Sequence, residues 1–431
     1  MPAKILAIHV SAYEAVTAVL DVATSTLAGP AGRSAFKPVE DEGAAEIAAE
    51  ALWSALTAAA RQVTRSEQDI EAIGLCCFTG GPVLLGDRGQ PLLPIWLPRD
   101  SRSRPAARQV WADVGEEFLG TTGCRPLPGK TSAVVFRQQH HEDNYLTHRV
   151  RSYFDINGWL AYRLTGAKHC GLAGACASGL FGTLTDRQWS PRWCEYFEVE
   201  RAWLPPVVAG DTTVGHLQCE AASDLGLPPG LPVKLGTDEI ASVALAANLA
   251  PGDLLDMAGP GSNLLVARAD RPWPDRDRWT RLLGVGDAML YVSEDPTPLR
   301  ALDWVRQLCF REQSESTFWQ ESLAEAQKRS TRVALEPAYL CDDAWEIETH
   351  RAAFRDLTLK SDRIDLLAAA LRAICTQYAR ARSNVGIDGT PRRLFLVDQD
   401  VELFERLVPD CTQSKKTSLQ NAALRGIAKL F

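Results

Sequence analysis

Two stretches of this 431-residue chain are built alike, and that likeness narrows the folds open to it. Near the start, Ile5 to Ser11 and Ala15 to Val22 read as two apolar strands joined by a short turn at Ala12 to Glu14. In the second half, Leu254 to Met257 and Asn263 to Arg268 again read as strand, turn and strand, the turn being Ala258-Gly259-Pro260-Gly261-Ser262. No repeat is visible at the 20 to 50 residue scale, so a solenoid is excluded and the likeness is architectural. Two related halves facing each other place a cleft between them. At about 150 residues per domain, the length suits two or three domains. The Pro-, Gly- and Asp-rich segment Pro205 to Pro232 reads as the boundary, giving domains 1–232 and 233–431.

Between these landmarks strands and helices alternate. Helical patterns run over Asp41 to Arg61, Arg104 to Leu119, Tyr153 to Leu164 and Asp362 to Arg382, the last with Ser361 as N-cap, and a terminal helix lies near Ser418 to Lys429. Ile70 to Leu75, Val233 to Leu235 and Arg393 to Val397 read as buried strands, and Val83 to Leu85 with Leu92 to Ile95 as a hairpin. The fold class is α/β.

Charge and composition exclude several functions. Lys and Arg number 46 against 54 Asp and Glu, a net charge of −8 that opposes binding to a nucleic-acid backbone. The one basic knot, Arg99 to Arg104, contains Asp100, Ser101 and Ser103 and suits a solvated loop or a small anion site. No run reaches the roughly 18 apolar residues of a membrane span, and Met1 to His9 lacks a signal peptide's apolar core, so a cytoplasmic protein is expected. The eleven cysteines form no C-x-x-C and are expected reduced and mostly buried. His140, His141 and His148 lack a metal-binding spacing.

One apparent motif fails on its own chemistry. Gly123 to Thr131 (GCRPLPGKT) resembles a phosphate-binding loop but has five residues between its glycines instead of four. Pro126 and Pro128 also remove backbone donors, and no strand precedes it. The stronger constellation is Gly236-Thr237-Asp238-Glu239, after the strand Val233 to Leu235 and before an Ala-rich helix, Ile240 to Asn248. A carboxylate there serves as a helix N-cap or, behind a glycine that lets substrate approach, as a general base.

The stretches VLLGDRGQPLLPIW, DSRS, TTGCRPLPGKTSAVVF, DINGWLAYRLTG, ASGLFGTLTDRQWS, LGTDEIASVALAANLAPGD and RAAFRDLTLKSDRIDLLAAALRA, in this order, resemble the FGGY carbohydrate kinases, xylulokinase-type members above all. The resemblance implies two actin-like, ribonuclease H-like domains around a cleft, with ATP and Mg²⁺ meeting a hydroxyl of a small-molecule sugar, pentulose-like. The N-terminal domain would bind the sugar and a shortened C-terminal domain the nucleotide. Asp238 falls on the family's catalytic Asp, which takes the proton from the sugar hydroxyl. Asp100 and Arg102 fall on its sugar-side D-x-R. Ser11, Gly259, Gly261 and Ser262 fall on its two phosphate turns. Phe78 and Gly80 stand where the sugar pocket has Gln and His. A homodimer is compatible with the family; no nucleic-acid or membrane partner is implied.

The departures from the family pattern concentrate on the nucleotide. An Asp-x-Gly-Thr-type turn becomes Ile8-His9-Val10-Ser11-Ala12. Imidazole is a poor partner for hydrated Mg²⁺, which prefers oxygen, and Val10 tolerates no positive φ. Pro260 removes a donor from the second turn, Ala368 to Ala373 places Arg372 where the family has Glu, and Asp398-Gln399-Asp400 replaces the Gly-Gly turn against which adenosine lies. The resemblance therefore implies a sugar-kinase fold with weak or lost phosphoryl transfer, or an inactive member acting as a small-molecule-binding or protein-interaction module. No metal ligand is assigned.

Overall fold

The computed structural model describes all residues except 1, 66–68, 258–261, 272–277, 297, 337–352 and 398–414. It divides into two compact units. One comprises Met1–Leu249, Ala269–Leu290 and Asn421–Phe431; the other comprises Ala250–Arg268 and Tyr291–Gln420.

The first unit is organised by a seven-stranded sheet in the order Thr213–His216, Pro232–Asp238, Ala72–Cys77, Lys4–Val10, Glu14–Asp21 and Thr26–Leu27, with Gly32–Ala35 also paired to Glu14–Asp21. The opening hairpin is antiparallel, Ile5 opposite Leu20 and His9 opposite Val16. Lys4–Val10 then runs parallel to Ala72–Cys77, which runs parallel to Pro232–Asp238. Period-two alternation sorts the first strand onto two cores. Leu6, Ile8 and Val10 join Leu52, Leu56 and Trp159 on one face, while Ile5 and Ala7 join Leu424 and Ile427 on the other. The helix Ala49–Thr64 and the terminal helix Ala422–Ala428 thus cover opposite faces of one sheet.

Several sequence readings shift. The helix expected from Asp41 begins at Ala49, because Val39–Asp41 and Ala44–Ile47 form an antiparallel hairpin. Its turn residues, Glu42 at φ 40° and Gly43 at φ 91°, adopt the left-handed geometry that two-residue hairpins need. Val83–Leu85 turns back on the segment before Leu93 as expected, through an antiparallel Leu85–Pro91 bridge and the Leu92 N–H donating to the Leu84 carbonyl at 2.9 Å, but its strand partner is Ser152–Phe154, and Ile95–Trp96 pairs with Ala44–Ile47. The boundary at residue 232 also moves. Pro205 to Pro232 carries the strand Thr213–His216 and the helix Cys219–Leu225, and the next strand, Pro232–Asp238, is bonded into the first unit's sheet. The compact unit therefore continues to Leu249.

In the second unit Leu254–Met257 pairs antiparallel with Ser262–Ala269 and parallel with Arg393–Val397, which pairs parallel with Lys415–Leu419. The long helix spans Arg363–Asn384, and its cap is Asp362 rather than Ser361. Asp362 Oδ1 accepts from the N–H groups of Ile364 and Asp365, while Asp365 returns a carboxylate oxygen to the Asp362 N–H, a reciprocal box. The Ser361 hydroxyl instead accepts from the Thr358 N–H. Asp253, fully buried, is gripped by the guanidinium groups of Arg392 and Arg393 and accepts from the Ala250 N–H at 2.9 Å. Burial alone would raise its pKa, but the hydrogen bonds from Arg393, Arg392 and Ala250 outweigh that and hold it at about 2.

A carboxylate depressed in the folded state stabilises above its unfolded pKa and loses that contribution as pH falls through the folded value. Asp253→Asn should cost about 2 kcal/mol at neutral pH, and the difference from the unmodified chain should vanish between about pH 4 and pH 2 in denaturant titrations. An unchanged difference at pH 2 would refute the assignment.

Candidate functional site

Three parallel strands of the first unit end at one level, and their ends bring together residues far apart in sequence. In register, His9 lies beside Cys76 and Cys76 beside Thr237; Val10 lies beside Cys77 and Cys77 beside Asp238. Ser11, Phe78 and Glu239 follow directly. Ends of adjacent parallel strands are where α/β sheets place their ligands.

Asp238 closes the strand Pro232–Asp238 and caps the helix Glu239–Ala246, its Oδ1 accepting from the Ala241 N–H at 3.0 Å. Its other oxygen accepts from Nη2 of Arg281, on the strand Trp279–Leu282. Both residues are buried, Asp238 at 3% and Arg281 at 7% exposure. The same Nη2 reaches the Ala173 carbonyl at 3.2 Å, while the buried Nε of Arg281 has no hydrogen-bond acceptor. The cap and base readings of Asp238 thus meet in one carboxylate, already committed on both oxygens. Gly236 has another task than admitting substrate: at φ 84°, a Cβ there would meet the Leu75 carbonyl oxygen at 1.8 Å. It permits the irregularity in strand register between Lys234 and Thr237.

At the end of the first strand, His9 Nε2 lies 2.7 Å from Glu239 Oε1. Neither residue type makes this visible in sequence, since the two are 230 positions apart. Val10 is fully buried. The Ser11 hydroxyl accepts from the Glu14 N–H at 3.2 Å and the Tyr13 N–H at 3.3 Å, which binds it into its own turn.

Nearby, Asp100 is 1% exposed and accepts from the N–H groups of Ala45 and Arg102 and from the Arg102 guanidinium. Arg102 also pairs with Glu46 and lies 3.8 Å over the Trp96 ring. Asp100 is therefore the anchor of this corner, and Arg102, about one-quarter exposed, is the member with a face left to offer. Phe78 is buried and its N–H donates to the Val10 carbonyl, while a Cβ on Gly80 would meet the Phe78 ring and the Trp96 carbonyl at 3.0 Å. Phe78 and Gly80 thus pack the wall beneath Trp96 instead of supplying polar groups. Two donors of the GCRPLPGKT loop are already engaged: the Leu127 N–H binds Thr131 Oγ1 and the Gly129 N–H binds Ser103 Oγ.

The remaining expected positions are distributed in the second unit. Gly259 and Gly261 lie outside the described residues, as does Asp398 to Asp400; Ser262 opens the strand Ser262–Ala269. Arg372 Nη2 donates to the Val333 carbonyl at 2.5 Å. His140 stacks on Phe136, and no group of three or more His, Cys, Asp or Glu able to hold a metal occurs among the described residues.

Two members of the site escape sequence reading. Arg281 comes from a strand 43 positions after Asp238 with no local pattern to mark it. Asp155 caps the helix Ile156–Thr165, accepting from the Gly158 N–H, and burial, with Asp238 nearby, pushes its pKa up to about 6. From the same helix, Asn157 donates to the Thr237 carbonyl at 2.7 Å.

Sheet order and two-unit organisation define an α/β protein of the actin-like, ribonuclease H-like fold. The solved xylulose kinase from Rhodospirillum rubrum superposes with a TM-score of 0.85 at 19% identity, covering 99% of this chain and 89% of that one. The Plasmodium falciparum glycerol kinase with ADP gives 0.83 at 16%, covering 99% and 88%. Residues 4–245 match the FGGY family of carbohydrate kinases, N-terminal domain, and the chain belongs to that family. Relatives include a probable L-xylulose kinase of Pasteurella multocida, 29% identical over 219 residues, 49% of this chain and 44% of the relative. The L-xylulose/3-keto-L-gulonate kinase of Escherichia coli is 26% identical over 266 residues, 59% of this chain and 52% of the relative. The chain spans about half the length of the curated relatives it matches. No helix among the described residues is long and apolar enough to cross a membrane.

Asp238→Asn leaves the buried Arg281 cation unbalanced. The loss in urea unfolding should then be about 3 kcal/mol, whereas the cap alone should lose almost nothing, since Asn caps a helix about as well as Asp. No measurable loss would show that the pair contributes nothing.

Proposed function

We infer that this chain keeps the sugar-binding half of the FGGY kinase reaction while phosphoryl transfer is weak or lost. The observation that carries this reading is the state of the strand ends. The residues standing where the family meets Mg²⁺ and phosphate are His9, bonded to Glu239, Val10, buried, and Ser11, closed into its turn. ATP and Mg²⁺ do not fit that turn: the first strand's end carries an imidazole, bonded to Glu239, where a carboxylate would face Mg²⁺, and the Ser11 hydroxyl is engaged by its own turn. Phosphoryl transfer is mostly positioning and charge stabilisation, so loss of both at one turn removes most of the rate. Without turnover the chain acts as a small-molecule-binding module, with Arg102, seated on the buried Trp96 ring, as the sugar's contact and the Asp238 carboxylate as a hydrogen-bond acceptor.

A second reading, a working kinase of a pentulose-like sugar with ATP and Mg²⁺, has one observation in its favour. Asp238 keeps its place at the end of a strand paired with the sheet's interior, where a base taking the proton of a sugar hydroxyl belongs. It requires Arg281 to release an oxygen of that carboxylate.

Thermal shift separates the two. A ligand at 100 times its dissociation constant stabilises by about 2.7 kcal/mol, so a ketose such as D-xylulose should raise the melting temperature while millimolar Mg·ATP leaves it unchanged. Arg102→Ala should abolish the sugar shift. A shift with Mg·ATP, enlarged by sugar, would favour the working kinase; no shift with any sugar would overturn the binding reading.

A further inference from the structure

Among the described residues, the Arg281 guanidinium is the one cation placed directly on the candidate base. It arrives from the strand Trp279–Leu282, a different element from any that carries Asp238's other contacts. The groups around Asp238 make that cation necessary. Asp155, from the cap of Ile156–Thr165, is a second buried carboxyl close enough to interact with it. Glu239 adjoins it in sequence and is held by His9. Cys76, on the central strand, and Cys176, on the helix Leu172–Ser178, are buried thiols whose own ionisation Asp238 opposes. Only the Ala241 N–H and Arg281 favour a negative charge on Asp238 among the contacts described. Arg281 bridges Asp238 to the Ala173 carbonyl through one nitrogen, Nη2.

Resting on the sugar-site reading above, we propose that Arg281 is the positioning residue of this site: it pairs with the Asp238 carboxylate and holds it in one orientation, so that the carboxylate is a fixed acceptor for a sugar hydroxyl. The guanidinium meets Asp238 through Nη2, while its buried Nε has no partner. Without the guanidinium, Asp238 is a carboxyl buried beside another acid, and burial together with Asp155 favours its protonated form.

The sign of the consequence is definite. An acid whose pKa is higher folded than unfolded costs stability as pH rises from the unfolded value to the folded one. In Arg281→Met, a variant of similar length, the melting-temperature gap to the unmodified full chain should therefore widen from pH 5 to pH 8. Arg281→Lys should show a much smaller, pH-independent gap. Adding Asp238→Asn to Arg281→Met should abolish the pH dependence and recover part of the loss, because no charge remains to bury. If Arg281→Met does not fold at pH 8, folding on transfer to pH 5 supports the same conclusion, and failure at both overturns it unless the double variant folds. A gap constant across pH marks Arg281 as packing only and overturns the proposal.

A binding arm keeps this separate from the sugar reading. In calorimetry at pH 8, D-xylulose should bind Arg281→Met at least about tenfold more weakly and Arg281→Lys within about threefold of the unmodified chain, the difference expected of a disturbed charge-assisted acceptor. Equal affinity in all three overturns the positioning role while leaving the sugar site standing. No binding to the unmodified chain overturns the sugar site, and the pH series then decides the ion pair alone.

Discussion

Parallel pairing of Lys4–Val10, Ala72–Cys77 and Pro232–Asp238 is the constraint on which this site depends. Side-by-side parallel strands stop at a common level, so residues that follow them must share one small region whatever their distance along the chain. His9 and Glu239 meet at 2.7 Å for that reason, and so do the thiol-bearing central strand and the Asp238 cap. The sheet holds this arrangement because both its faces are covered, by Ala49–Thr64 on one side and Ala422–Ala428 on the other. A slip of one residue would exchange the faces of Ile5 and Leu6 and carry His9 away from Glu239.

With the geometry fixed by the sheet, chemistry is decided by which charges the strand ends carry. In this chain the acidic groups are spoken for: Asp238 by Arg281 and a helix N-terminus, Glu239 by His9, Asp100 by Arg102 and two backbone donors. Paired carboxylates hold these strand ends in one arrangement. The second unit shows a similar economy, with Arg372 on a backbone carbonyl and Arg392 and Arg393 gathered on Asp253.

Much of the fold was legible because alternation and capping are local. The opening hairpin and the strands Leu254–Met257 and Arg393–Val397 follow from apolar runs bounded by turns. The hairpin at Glu42-Gly43 was hidden by an Ala- and Glu-rich composition that suits a helix, although the Asp41-Glu42-Gly43 turn was there to be read. Pro205 to Pro232 misled for the opposite reason: its Pro and Gly content suggests a linker, but Val214 and Leu217 are buried and tie it to the sheet. Asp238 stood out because Gly-Thr-Asp follows a strand. Arg281 did not, since pairing across 43 residues leaves no periodicity, and what it does to a carboxylate is set by burial that composition cannot show.

We propose that the strand ends of this FGGY protein bind a sugar without effective phosphoryl transfer. ADP formation by the full chain, followed with Mg·ATP and a panel of ketoses, decides between binding and turnover. No sugar-dependent ADP formation above the rate without sugar is expected, under conditions where a ketose raises the melting temperature. Clear sugar-dependent turnover, lost in Asp238→Asn, would contradict it and show that Arg281 yields the carboxylate during a working catalytic cycle.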